Sequence, residues 1–286
     1  MFVAFLFIPV VAGNVFMEDS IPNIPEITER QSTWTRGYTI FDPCNTNKPG
    51  NRSVSCSQLK RQGHNDSKVY EIYILGNPVK VWCDMTSKHG GGWTVIQSRS
   101  ENQKVEDFFE RNSTEYERGF GTAGESFWIG LENLRALTSY PNNPQALKIE
   151  LRKAEGWKEK IVVHYKKFQV GSKQEKYKLT IDEYDGPGKD DALSHHKGAD
   201  FSVKDSKTKR EQDCTKGILS GGWWFVKPCN EANLNGYKLP FRLESKPLPI
   251  TWHVKNDPKS YDYSYDKVEM KIRDADFGFC TGRQKS

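Results

Sequence analysis

The segment CTKGILSGGWWFVKPCNEANLNG, residues 214–236, constrains the fold more than any other. Two cysteines bracket a Gly-Gly-Trp-Trp core, and an amide-rich tail ends on glycine. Such an irregular stretch must satisfy its own backbone polar groups and offset the entropy lost on ordering. A disulfide from Cys214 to Cys229 would close a loop of about fifteen residues and contribute roughly 3 kcal/mol by restricting the unfolded chain. Trp223 and Trp224 would then act as buried anchors. The pattern predicts a stapled, rigid loop from which side chains and backbone N–H groups can be aimed.

Elsewhere the 286 residues read as an ordinary globular chain, with enough aromatic side chains for a core. Residues 1–13, MFVAFLFIPVVAG, form an apolar run too short to span a bilayer. They are expected to be a secretory signal peptide, although no basic residue precedes the run. Residues 14–54 carry Pro22, Pro25, Pro43 and Pro49 without periodicity and read as a linker or arm. No collagen repeat or heptad is present to encode an oligomerisation stalk.

From residue 55 to about 282 the chain turns globular and α+β. SCSQLKRQG suggests a short helix, and VYEIYI and VKVWCDM alternate like strands. ESFWIGLENLRALTS places Trp128, Leu131, Leu134 and Leu137 on one helical stripe, expected to be core. ALKIELRK, KIVVHYKKFQV and KYKLTIDEY alternate apolar with charged residues, as strands of an antiparallel meander do. After Gly186 regular elements are few until VEMKIR at 268–273.

The six cysteines, Cys44, Cys56, Cys83, Cys214, Cys229 and Cys280, include no CxxC pair, which excludes zinc-ribbon and thioredoxin spacing. Sequons at Asn51, Asn65 and Asn112 mark candidate N-glycosylation sites. With the leader, they point to a secreted, extracellular protein with no membrane span. The net charge of +5 comes from lysines that alternate with apolar residues, a solvated strand face and not a nucleic-acid surface. Heparin-like or other anionic surfaces remain an alternative.

No catalytic constellation stands out, and no enzyme is expected. HExxH, GxSxG, Walker A and a strand-following GxGxxG are absent. His195 and His196 are adjacent, a poor metal spacing. IDEYDGPGKDD lacks oxygen ligands at the third and fifth positions of a calcium loop, where Tyr184 and Gly186 stand.

Four motifs in order, GGGWTVIQSR, RGFGTAGESFWIGLENLRALT, GGWWFVKPCNEANLNGYKL and YDYSYDKVEMKIR, resemble the fibrinogen-like domain from about Cys56 to about Arg273. The motifs are most similar to the invertebrate lectin branch, the tachylectins and ixoderins, and also to ficolin recognition domains. The resemblance implies a small N-terminal subdomain, a central antiparallel sheet with helices, and a loop-rich C-terminal ligand-binding subdomain. It implies the disulfides Cys56–Cys83 and Cys214–Cys229. Cys44 and Cys280 lie outside the family pattern and pair with each other or link two chains, the internal pair being favoured.

By the same resemblance, the backbone N–H groups of Cys229 and Asn230 would donate to the acetyl oxygen of an N-acetylated sugar. Tyr261 would wall the methyl group, with Trp252 just upstream. Such a polar pair at the mouth of an apolar cup rejects ligands lacking either half. Asn230 stands where the family often has histidine, and Leu219 where it has a tyrosine wall. The calcium loop keeps Asp205, but Lys207 and Lys209 replace expected acidic residues. No cofactor is assigned, and calcium at Asp205 stays an alternative, with a lysine standing in for the ion as the competing one.

The function expected from this resemblance is a secreted lectin that binds acetylated glycans, sialic-acid-like sugars included, on microbial surfaces in innate immunity. Weak single sites would gain avidity in a homo-oligomer. The alternative is a protein-binding signalling or regulatory module with a degenerate sugar pocket, as angiopoietin-like relatives are.

Overall fold

A computed structural model describes residues 53–87, 90–103, 107–139, 144–153, 160–203, 220–227, 229, 231–238, 249–255 and 257–280. The leader, most of the arm, Cys44, Asn51, Asp205, Lys207, Lys209, Cys214, Leu219 and Asn230 lie outside the described residues.

The chain opens with helix α1 (Cys56–Arg61), whose start is fixed by Ser55: its hydroxyl accepts the Gln58 N–H at 3.2 Å. The hairpin β1 (Lys68–Ile74) and β2 (Asn77–Asp84) follows, and a disulfide joins Cys56 to Cys83 in the core. Strand β3 (Trp93–Arg99) is buried along its whole length. After it come helix α2 (Ser113–Arg118), the two short strands β4 (Phe120–Gly121) and β5 (Phe127–Trp128), and helix α3 (Leu131–Thr138).

Trp128 corrects the expectation of one long helix. It sits in β5, paired with Gln97 of β3 and Phe120 of β4. Gly130 breaks the pattern, with φ +94°; a Cβ there would come 2.7 Å from the Arg118 carbonyl carbon and oxygen. The helix starts only after it, and Leu131, Leu134 and Leu137 are buried as the stripe predicts.

The alternating lysine-rich segments form the meander β6 (Gln145–Lys153), β7 (Lys160–Val170) and β8 (Leu179–Asp185). The late strand β13 (Tyr265–Asp274) inserts between β3 and β6, antiparallel to both, giving the order β1-β2-β3-β13-β6-β7-β8. One sheet face packs Leu147, Ile149, Leu151, Val268, Met270 and Ile272 into the core. On the other face Lys271 meets Asp84, Glu269 and Glu150 at 2.9, 2.9 and 3.4 Å. Glu150 is also held by Lys148 and Lys160, at 2.6 and 2.7 Å.

The C-terminal third builds on paired fragments: β9 (Ser202–Val203) with β10 (Gly222–Trp223), and β11 (Ala232–Asn233) with β12 (Thr251–Trp252). These short pairs cannot hold themselves, so side chains do it.

Candidate functional site

Trp223 and Trp224 are fully buried, and their rings meet edge to face at 5.3 Å. Trp224 also packs against Phe201 and Trp128 and donates its indole N–H to the Tyr177 carbonyl at 2.7 Å. The tryptophans are therefore anchors of the loop, not ligand contacts. At Gly221, φ is +67° and a Cβ would lie 2.2 Å from the Asn235 carbonyl oxygen, so the loop crosses its own tail there.

The amide-rich tail explains itself at this crossing. Asn233 Nδ2 donates to the Ser220 carbonyl at 2.9 Å, and Asn235 Nδ2 donates to the Gly222 carbonyl at 2.8 Å. The Gly222 N–H donates to the Tyr116 hydroxyl at 2.9 Å, and the Gly221 N–H donates to Glu110. These main-chain amides are bonded internally and are not aimed outward. From the sheet, Gln97 donates to the Leu234 carbonyl and Asn235 Oδ1, and Arg99 donates to the Leu234 and Gly236 carbonyls. Buried asparagines serve here because each side chain imitates a peptide group and satisfies loop backbone that no ladder reaches.

Farther along the segment, Cys229 is disulfide-bonded and partly exposed. Glu231 fixes the chain just beyond it on two sides. Its carboxylate lies 2.5 Å from His195 Nδ1, and its carbonyl accepts the His253 N–H at 2.6 Å. Ala232 then pairs with Trp252, which is fully buried and donates its indole N–H to the Asp190 carbonyl at 2.9 Å. His253 stacks on Tyr261 with centroids 4.0 Å apart and planes at 26°. Tyr261 ends a 3-10 turn, Pro258–Tyr261, which Asp257 caps by accepting the Lys259 N–H at 3.1 Å.

Of the residues singled out in the sequence, the structure thus links Cys229, Trp252 and Tyr261 around one segment. Trp252 supports from beneath, and Tyr261 is half-buried beside His253. Phe225, Val226 and Tyr263 are also partly buried against the core. Asn230, Leu219 and the Asp205 loop lie outside the described residues. Three residues that position this site, His195, Glu231 and His253, carry no motif. The adjacent histidines do diverge: His195 is exposed against Glu231, whereas His196 is buried with Nδ1 2.6 Å from the Trp224 carbonyl oxygen. Burial lowers the His196 pKa below its ordinary value. Among the described residues no three His, Cys, Asp or Glu side chains cluster to hold a metal ion.

Among the described residues, the segment around Cys229 is thus held by side-chain hydrogen bonds from the sheet and from the amide-rich tail, with Tyr261 half-buried beside it. Comparison with known proteins places the chain. Residues 52–275 match the family described as fibrinogen beta and gamma chains, C-terminal globular domain. The chain belongs to this family. It is 35% identical over 221 residues to angiopoietin-4 of Bos taurus, covering 76% of this chain and 42% of that protein. Against angiopoietin-1 of Homo sapiens the identity is 36% over 226 residues, covering 78% of this chain and 43% of the relative. The chain thus spans less than half the length of these relatives. The fibrinogen-like globe domain of human ANGPTL2 superposes with a TM-score of 0.66 at 28% identity, covering 78% of this chain and 99% of that one. No helix among the described residues is long and apolar enough to cross a membrane.

Proposed function

We propose that this protein is a secreted, protein-binding module that acts in signalling or regulation through the C-terminal face around Cys229 and Tyr261. The observation that carries this reading is the likeness to angiopoietins over three-quarters of the chain. The composition of the face agrees with it. Tyr261, half-buried and stacked on His253, offers the kind of aromatic anchor on which protein partners concentrate binding energy.

A second reading, a lectin for acetylated glycans, keeps one specific support: Cys229 is in a disulfide and Tyr261 is partly exposed, as an acetyl cup requires. We further infer that the sequence of this loop disfavours calcium without excluding it. The ion takes six to eight oxygens, and the loop offers Asp205 beside Lys207 and Lys209. We infer that a lysine ammonium, not a metal ion, neutralises Asp205.

One experiment separates the two readings. Labelled protein is bound to animal cells and passed in parallel over immobilised N-acetylglucosamine. Cell binding that is lost after protease treatment of the cells, and unaffected by free acetylated sugar, supports a protein partner. Retention on the column with elution by free sugar overturns it in favour of the lectin. In either case Tyr261→Ala should weaken binding at least about tenfold, as expected for a central aromatic anchor.

A further inference from the structure

Asn112, Ser113 and Thr114 all face solvent at the start of α2. Asn112 Oδ1 accepts the Glu115 N–H at 3.0 Å, while the Asn112 N–H donates to Glu115 Oε2 at 3.1 Å. This reciprocal capping box consumes the side-chain oxygen only. Nδ2 is left with no hydrogen-bond partner among the described residues. The other sequon asparagine in the described residues differs. Asn65 Nδ2 donates to the Gly63 carbonyl at 3.0 Å, and its Oδ1 accepts from Lys60 Nζ at 2.6 Å.

We propose that Asn112 performs two jobs with one amide: Oδ1 caps α2 while Nδ2 carries an N-linked oligosaccharide. The sequence marks a sequon; the structure shows that its occupant and the helix cap do not compete. In the transfer, Nδ2 attacks the anomeric carbon of an oligosaccharide linked to a lipid pyrophosphate. The C–N bond forms, the C–O bond to the pyrophosphate breaks, the lipid pyrophosphate leaves, and Nδ2 gives up one of its two protons. The product is a secondary amide whose oxygen still accepts a hydrogen bond, so the cap survives.

The sugar also has a defined neighbourhood. Arg111 pairs with Glu115 at 3.2 Å and lies over the rings of Phe108 and Phe120, at 5.4 and 5.6 Å. A glycan rooted at Asn112 stands beside this aromatic ridge and removes it from the partner-binding surface. The proposal rests on the secretion reading above, because the modification occurs on chains that enter the secretory route.

The test uses the full chain expressed in animal cells and recovered from the medium. Peptides are compared before and after peptide-N-glycosidase digestion in heavy-oxygen water. The Asn112 peptide should be converted to heavy-oxygen Asp, and Thr114→Ala should abolish the conversion. Wild type, Thr114→Ala and Asn112→Asp should share one thermal midpoint, with Asn112→Ala below them because only that variant loses the cap. An unconverted Asn112 peptide in secreted protein overturns the glycan. A chain that never reaches the medium overturns the secretion reading instead. A drop for Asn112→Asp equal to that for Asn112→Ala overturns the shared amide.

Discussion

Replacing Lys271 with methionine removes the cation shared by Asp84, Glu150 and Glu269 on the second sheet face. Lys271 is buried, so water cannot substitute for the lost charge. Breaking a buried pair by deleting one partner costs about 3–5 kcal/mol, because the remaining charge is uncompensated. Here Glu150 keeps Lys148 and Lys160, and Glu269 keeps Lys267. Asp84 bears most of the loss, which places the expected destabilisation at pH 7 near the low end, about 3 kcal/mol.

The pH dependence makes that number specific to the network. Burial alone would raise Glu150, but the ammoniums of Lys271, Lys148 and Lys160 outweigh it and hold the carboxyl at about 2. Burial also pushes Asp84 up, and Lys271 and Ser87 hold it below its ordinary value. A carboxylate depressed in the folded state stabilises above its unfolded value, and that stability is lost as pH falls through the folded one. Urea denaturation at a series of pH values should therefore show a constant gap between wild type and variant near neutrality. The gap should narrow as pH falls from about 4.5 toward about 2. A gap under about 1 kcal/mol at pH 7, the range of an exposed ion pair, would refute the reasoning, as would a gap that ignores acid.

His196 supplies a second pH effect. Its folded pKa lies below 6.5, so stability present above that value is lost as pH falls below it. His196→Gln keeps an N–H donor and cannot titrate, so its thermal midpoint should change less between pH 7 and 5, read by tryptophan fluorescence; an unchanged slope counts against the buried histidine. Asn235→Ala should cost about 1–3 kcal/mol in urea denaturation, since the Gly222 carbonyl loses its buried partner; a loss within error would show that the lacing is dispensable. Titration calorimetry of chelator-stripped protein with calcium should give no heat of binding, and clear micromolar binding would restore the ion at Asp205.

The sheet was legible where its physics is local. One sheet face lies in the core and the other carries charges, and that alternation survives in β6, β7 and β13 as lysines and glutamates between aliphatics. Lys148, Lys153 and Lys271 are nonetheless buried, and not on the solvated face the sequence suggested. Trp128 misled for the same local reason: it stands three residues before Leu131, in phase with Leu134 and Leu137. Phase does not report that Gly130 has positive φ and that the helix begins only after it. The insertion of β13 between β3 and β6 was not legible, because strand neighbours distant in sequence leave no periodic trace. The same holds at the site. His195 finds Glu231 across 36 residues, and no spacing announces that His253 will carry the ring of Tyr261.

The lacing of the C-terminal loops also decides what the family match can mean. Gln97 and Arg99 reach from the sheet to carbonyls more than 130 residues away, and Asn233 and Asn235 tie the tail to the Gly-Gly turn. Every one of these bonds points inward, so none depends on what the loop face touches. None of these bonds is made by the side chains of Tyr261 or Phe225. A scaffold of this kind lets the exposed face change its ligand without cost to the fold. Strong likeness therefore fixes architecture while leaving the ligand to a few side chains. For this chain the proposed side chain is Tyr261, which the Tyr261→Ala experiment addresses.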